Sequence, residues 1–486
     1  MTASADKGPV LGQRHVQIIF LYTCHVVNYM TKFNAGICVV AMTNAATTNP
    51  NFPEYNWSQM EKSYILSSFF WGFVITQFPA GNICRYFGVK KTLFVSTLGS
   101  SVVGLLVPFT VDWGGWQIFC AIRFVQGMFQ GLELPGIHAH LAVWCPVEER
   151  NRLGAMASTG IETGIVLAIF LSGMIAASSM GWPGIFYVSC GMGVVWCIFW
   201  LIYAANTPNE SKRITEIELN FIQSSINKMK KEQDSKGRAE KIPVPWRAIL
   251  TSMPVWALLM ARSAEMWGFT TIQTQVPSYM KGVFDMDMRK NAIFSALPYI
   301  TLWCMAYVYL VLADTLLNRK LLTLNGLRKT YNTIAFWIPA AGLIALGFVD
   351  SHQQTLAVVL MIVIVGFNSG NMIGSGLNTI DLSPNHAGVL MSLTNASASI
   401  WPIVTPLLAG AIVKEESDRT HWQIVFAISA TVFFFGNLFY IIFGTTNLQE
   451  WDDPHYLVAK HHCNEQHKNG AAVKEVTEKY KQIFVA

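Results

Sequence analysis

The chain has 486 residues and a formal net charge of +5, from 34 Lys and Arg against 29 Asp and Glu; 52% of it is hydrophobic and only 13% charged. A soluble globular protein carries about 25% charged residues, so this composition cannot coat a fold in water, and its apolar content rules out a disordered chain. The length rules out a small disulfide scaffold, which leaves a polytopic membrane protein.

A helix needs about 20 apolar residues to cross a bilayer core. In chain order, the apolar runs predict helices near 16–43, 63–83, 92–110, 115–144, 154–178 and 182–204. Six more are expected near 254–280, 291–313, 331–349, 354–380, 386–413 and 421–445. Twelve crossings follow, with no signal-peptide pattern ahead of the first. The nine cysteines are scattered and form no CxxC or other metal-ligand spacing, so they read as small buried hydrophobes. No metal site is expected, at His461-His462 or elsewhere, and no cofactor beyond a co-transported ion.

Basic residues concentrate in alternate loops. Arg85, Lys90, Lys91, Arg150, Arg152, Arg319, Lys320, Arg328 and Lys329 lie on one side, joined by nine more in the central segment, against six on the other side. The positive-inside rule then puts both termini in the cytosol. The expected organisation is a cytosolic N-terminus (1–15), a first six-helix bundle (16–204), a cytosolic linker (205–248), a second six-helix bundle (249–445) and a cytosolic tail (446–486). In the linker, Ile214, Ile217 and Phe221 share the spacing of one amphipathic helix face, read here as a solvated connection. Asn56-Trp57-Ser58 is a candidate N-glycosylation sequon on the outer side. Two six-helix bundles around a midplane site is the architecture of major facilitator transporters.

A charge at the bilayer centre costs about 2.5–3.5 kcal/mol on insertion scales and persists where it faces a wet cavity or a partner. Lys32, Arg123, Glu133, Glu162, Arg262 and Glu265 qualify, with His25, His138 and His140 as titratable neighbours. His25 and Lys32 are seven apart on one helical face, with Asn34 close by. In the fourth span, Arg123 with Gln130 and Gln126 with Glu133 form two adjacent polar stripes beside Gly127, Gly131 and Gly136, and Pro135 is expected to bend the helix. A guanidinium among amides and glycines suits a carboxylate or phosphate through its planar fork. The competing reading of Arg123 is a buried ion pair with Glu133 or Glu162. The candidate anion-binding set is therefore Arg123, Lys32, Gln126, Gln130 and Asn34, and the coupling set is Glu133, Glu162, Glu265 and His138. The absence of HExxH and Gly-x-Ser-x-Gly patterns speaks against an enzyme, and nothing suggests nucleic acid.

From about residue 15 to 454 the chain resembles the anion:cation symporters of the major facilitator superfamily, which include type I sodium/phosphate cotransporters, sialin and vesicular glutamate transporters. The likeness rests on the run Ser68 to Gly81, on Arg123-Phe-Val-Gln-Gly127 with Pro135, and on Trp144 to Leu153. It continues through Ser252-Met-Pro-Val255, Asp381-Leu-Ser-Pro384 with Asn395, and Trp451-Asp-Asp-Pro454. The insect branch described as "putative inorganic phosphate cotransporters" is the nearest likeness. The resemblance implies two bundles rocking by alternating access, a small anion as cargo, and sodium or protons as the coupling ion. It further implies a monomer in the plasma membrane or an endolysosomal or vesicular membrane. It places a substrate-recognising arginine on Arg123, while the first-span arginine that the family often has falls on Lys32, which lacks the bidentate fork. The second-span histidine of the vesicular glutamate transporters falls on Leu66, their fourth-span glutamate on Gln130 and their seventh-span arginine on Glu265. These departures argue against glutamate loading. The alternatives are a proton-coupled exporter of organic acids and a nutrient receptor that does not transport.

Overall fold

The computed structural model describes residues 9, 11–44, 48–146, 148–235 and 244–453. Pro454, the His461-His462 pair and the rest of the tail lie outside the described residues. The described secondary structure is helical, without strands, as a chain that must satisfy its backbone groups internally in lipid requires.

The first half contains α1 (Gln13–Thr43), α2 (Gln59–Gln77), α3 (Ala80–Phe87), α4 (Val89–Leu105), α5 (Val107–Gln130), α6 (Glu133–Trp144), α7 (Arg150–Ser158), α8 (Gly160–Ala176) and α9 (Gly181–Tyr203). The linker helix α10 (Glu216–Ser235) and the short α11 (Trp246–Thr251) lead to the second half. There follow α12 (Met253–Gly282), α13 (Met288–Asn318), α14 (Leu324–Gly347), α15 (Gln354–Asn368), α16 (Asn378–Leu382), α17 (Ala387–Ala398), α18 (Trp401–Ile412) and α19 (Arg419–Phe443).

Among the described residues, seven helices are long and apolar enough to cross a bilayer alone. The other crossings are broken or carry the polar residues of the candidate site, and the layout is consistent with twelve spans. The α4–α6 run, bent by 77°, is two crossings. At 1.5 Å per residue it would be far longer than one bilayer, and Gly115 (φ 54°) turns the chain inside it. The expected bend in the fourth span falls between α5 and α6, where Pro135 would clash with the carbonyl four residues earlier, at Gly131. Ser58 starts α2 with a capping box, accepting from the Glu61 amide at 3.3 Å while the Glu61 carboxylate accepts from the Ser58 amide at 2.7 Å.

Within the first half α1 packs on α8 and α9, and α2 on α5; within the second, α12 and α14 pack on α19. The halves meet through α1 with α12, α2 with α18 and α8 with α13. At the face away from the termini they are clasped by Lys62 and Glu416, 3.0 Å apart. A Cβ on Gly410 would lie 2.3 Å from the Ser63 hydroxyl, so glycine is what lets α18 approach α2 there.

The linker helix departs from the sequence reading in part. Ile214 and Phe221 are half-buried, the first packed near Trp144 and Ile222 and the second under the Arg14 guanidinium, but Ile217 is exposed, and the fully covered positions are Glu218, Ile222 and Ser225. Glu218 accepts from the backbone amides of Gln13 (2.8 Å) and Arg14 (3.0 Å), capping α1, and pairs with the Arg14 guanidinium, which also grips Glu149 at 2.7 Å. The helix is therefore docked on the first half. Ser225 donates to Glu148 and holds that carboxyl below its ordinary range.

Candidate functional site

Glycines set the site's backbone. A Cβ on Gly127 would sit 1.9 Å from the Phe69 carbonyl, and one on Gly72 2.0 Å from that of Phe124. No larger residue permits this approach of α2 to α5, and it brings the Phe69 ring to 4.6 Å from the Arg123 guanidinium. Arg123 is 1% exposed. It donates to the carbonyls of Thr31 (3.0 Å) and Lys32 (2.7 Å) and to the Gln126 amide oxygen (3.3 Å), while its Nε has no partner. All three acceptors are neutral. Among the described residues no carboxylate lies within ion-pair distance of Arg123, so the pairing with Glu133 or Glu162 left open above does not occur.

Lys32 is held differently. Its ammonium lies 4.4 Å from the Phe73 ring centroid and 5.1–5.6 Å from those of Tyr29, Phe33, Phe70 and Phe69. Each such contact is worth about 0.5–2 kcal/mol according to its desolvation. The cage stabilises the cation without cancelling its charge, and no carboxylate pairs with it among the described residues. Lys32 and Arg123 thus share the Phe69 ring as two uncompensated positive charges.

The amides of the expected set lie behind these cations. Gln126 donates to the Ser100 carbonyl (3.1 Å), Gln130 to the Thr31 hydroxyl (2.7 Å) and Asn34 to the Ser189 hydroxyl (3.1 Å), each being at most 1% exposed. Gln126 touches Arg123; Gln130 and Asn34 lie in contacts within the first half, each with a buried amide oxygen lacking a partner.

The coupling candidates separate into two groups. Glu133 bonds His25 at 3.0 Å, both at most 4% exposed, across α6 and α1. This partnership escaped the sequence reading, although His25 shares a face with Lys32. Glu162 carries a buried carboxylate oxygen without a partner, and His138 is exposed. Glu265 pairs with Arg262 one turn away on α12. His140 donates through Nε2 to the Gln17 amide oxygen at 3.1 Å and is an interior residue. Asn56 is exposed in the loop before α2. No cluster of metal-ligating residues occurs among the described residues.

Two motifs that looked separate in sequence touch. Asp452 accepts from the Ser383 hydroxyl and from the Asn385 amide (3.0 Å), and Asp381 receives the Arg328 guanidinium at 2.8 and 3.3 Å.

Two helical halves that enclose unneutralised cations, in a chain too apolar for water, define a multi-pass secondary transporter. The chain belongs to the Major Facilitator Superfamily, whose family model matches residues 22–401. It is 34% identical over 449 residues to a Drosophila ananassae protein named "Putative inorganic phosphate cotransporter", covering 88% of this chain and 91% of that one. It is 32% identical over 436 residues to vesicular glutamate transporter 3 of Danio rerio (88% and 72% covered). These relatives are transporters, not enzymes. Among solved structures, the D-xylose-proton symporter superposes with a TM-score of 0.68 at 14% identity, over 90% of this chain and all of that one (100%). A bacterial homologue of the human lysosomal transporter Spinster, inward-facing and occupied, gives 0.63 at 12% identity, with 88% and 96% covered. Identities this low speak for the fold alone.

Proposed function

We propose that the protein moves a small anion, inorganic phosphate or a small organic anion, by alternating access between its two halves, coupled to a sodium or proton gradient. The observation that carries this reading is the uncompensated Arg123–Lys32 pair. A buried Arg123 and a half-buried Lys32 with no carboxylate partner among the described residues favour a mobile anion that supplies the missing charge, and the unpartnered Arg123 Nε offers a donor to it. Gln126 braces the guanidinium from behind. The names of the phosphate-cotransporter relatives support phosphate as the first probe. The Lys62–Glu416 clasp closes the face away from the termini in the conformation described.

The test is uptake into proteoliposomes of a panel of labelled anions, with sodium and pH varied independently. Saturable uptake that accumulates at least one anion, and that Arg123→Ala removes in every active condition, is expected. Uptake unaffected by Arg123→Ala would refute the assignment.

A further inference from the structure

Beside the two cations lies a second buried cluster. His25 Nδ1 and Glu133 Oε1 are 3.0 Å apart, and the side chains are 2% and 5% exposed. The pair joins α1 to α6 where Gly160 lets α8 come close: a Cβ there would lie 3.0 Å from the His25 Cβ. His25 stands seven residues, about 10 Å of helix, before Lys32, so this cluster is separate from the anion pair yet on the same helix face.

We propose that the His25–Glu133 pair is the binding site of the coupling ion and that the ion is a proton. The inference rests on the transport reading given above and deepens it. The ligand chemistry decides between ions. A hard cation such as sodium is held by a cage of several oxygens, whereas this pair offers one carboxylate bonded to an imidazole nitrogen. A carboxylate and an imidazole nitrogen 3.0 Å apart share one hydrogen bond, which accommodates a proton at either end.

Ionisable groups of the neighbouring helices surround the pair. Cys24, Tyr29 and Lys32 lie on α1 itself, His138 on α6, Glu162 on α8, and Arg262 on α12 of the other half, within electrostatic reach of Tyr29. Cys197 of α9 acts on Cys24. Glu162, which has a buried carboxylate oxygen without a partner, and the exposed His138 are the polar groups along which a route to the pair would run.

One proton enters from the side to which the site opens and resides on the pair, and one leaves to the opposite side after the halves rock. While it is bound, the negative charge of Glu133 is offset. Lys32 lies within electrostatic reach of that charge, so the positive potential at Lys32 and Arg123 rises. An anion is then held more tightly, and by linkage the bound anion holds the proton more tightly. Both substrates travel in the same direction. A pair that merely fastened α1 to α6 would show none of this dependence.

The experiment has two arms on the full-length protein. In the first, purified protein without substrate is titrated while the infrared carbonyl band of protonated carboxyl groups is recorded. A titrating band that Glu133→Gln removes and His25→Asn shifts is expected; a band unchanged in Glu133→Gln overturns the site. In the second, proteoliposomes are given labelled inorganic phosphate under a pH gradient or a sodium gradient. The pH gradient alone is expected to drive accumulation, and Glu133→Gln to lower accumulation relative to phosphate counterflow by about ten-fold or more. Sodium-driven accumulation without a pH gradient, or proton-driven accumulation persisting in Glu133→Gln, overturns the proposal. If the wild-type protein moved no anion at all, the transport reading would fail, while the infrared titration would still judge the proton site.

Discussion

The clasp between Lys62 and Glu416 holds the two halves together in the conformation described and must part when the face that carries it opens. Its ions are 3.0 Å apart with side chains 10% and 17% exposed. At an effective dielectric constant of about 20, the attraction is about 5 kcal/mol. Desolvation of two nearly buried ions offsets several kcal/mol of that, leaving a net of about 1–3 kcal/mol. Lys62→Met also leaves the mostly buried Glu416 carboxylate without its ammonium, which adds to the loss. At about 1.4 kcal/mol per ten-fold, the balance between the two conformations should move about 5- to 150-fold toward the form open at that face. Spin labels at Asn51→Cys and Lys414→Cys, in a Cys304→Ser background, would read it as a distance distribution. Lys62→Met is expected to add a longer population, and the exchange Lys62→Glu with Glu416→Lys to restore the short one. A Lys62→Met distribution identical to wild type, or an exchange that restores nothing, would refute the reasoning.

Gly127→Ala should be among the most damaging small substitutions, because its methyl would meet the Phe69 carbonyl at 1.9 Å; overpacking of this kind costs about 1–3 kcal/mol. Thermal unfolding should show the lower midpoint, and labelled-anion flux should fall as Phe69 and Arg123 separate. Glu218→Ala removes the cap of α1 and one of two partners of the buried Arg14, for about 2 kcal/mol. The measurements are a lower unfolding midpoint and faster hydrogen exchange at residues 13–16 and along α10.

Much of the fold was legible because lipid leaves few choices. Apolar runs of span length marked the crossings, and Pro135 announced the break at Gly131. The cations of the site were legible for the same reason: an intramembrane Arg123 or Lys32 is too costly to be incidental. Their partners were not legible. Spacing along one helix reports neighbours on that helix, such as Arg262 and Glu265 three residues apart, but not which acid meets which base across helices. Glu133 meets His25, 108 residues away, and Lys62 meets Glu416 across 354. The linker face failed in part for a related reason. Apolar periodicity favoured Ile217, whereas the surface that α10 covers presents Arg14 and the free amides of α1, which select Glu218 instead. Nor does any periodicity report that five aromatic rings from α1 and α2 converge on one ammonium.

The most direct measurement is a structure of the protein saturated with inorganic phosphate. The account predicts the anion hydrogen-bonded to the Arg123 guanidinium, with the Lys32 ammonium turned toward it from its aromatic cage. Phosphate bound elsewhere, with Arg123 still donating to the Thr31 and Lys32 carbonyls as it does now, would contradict it.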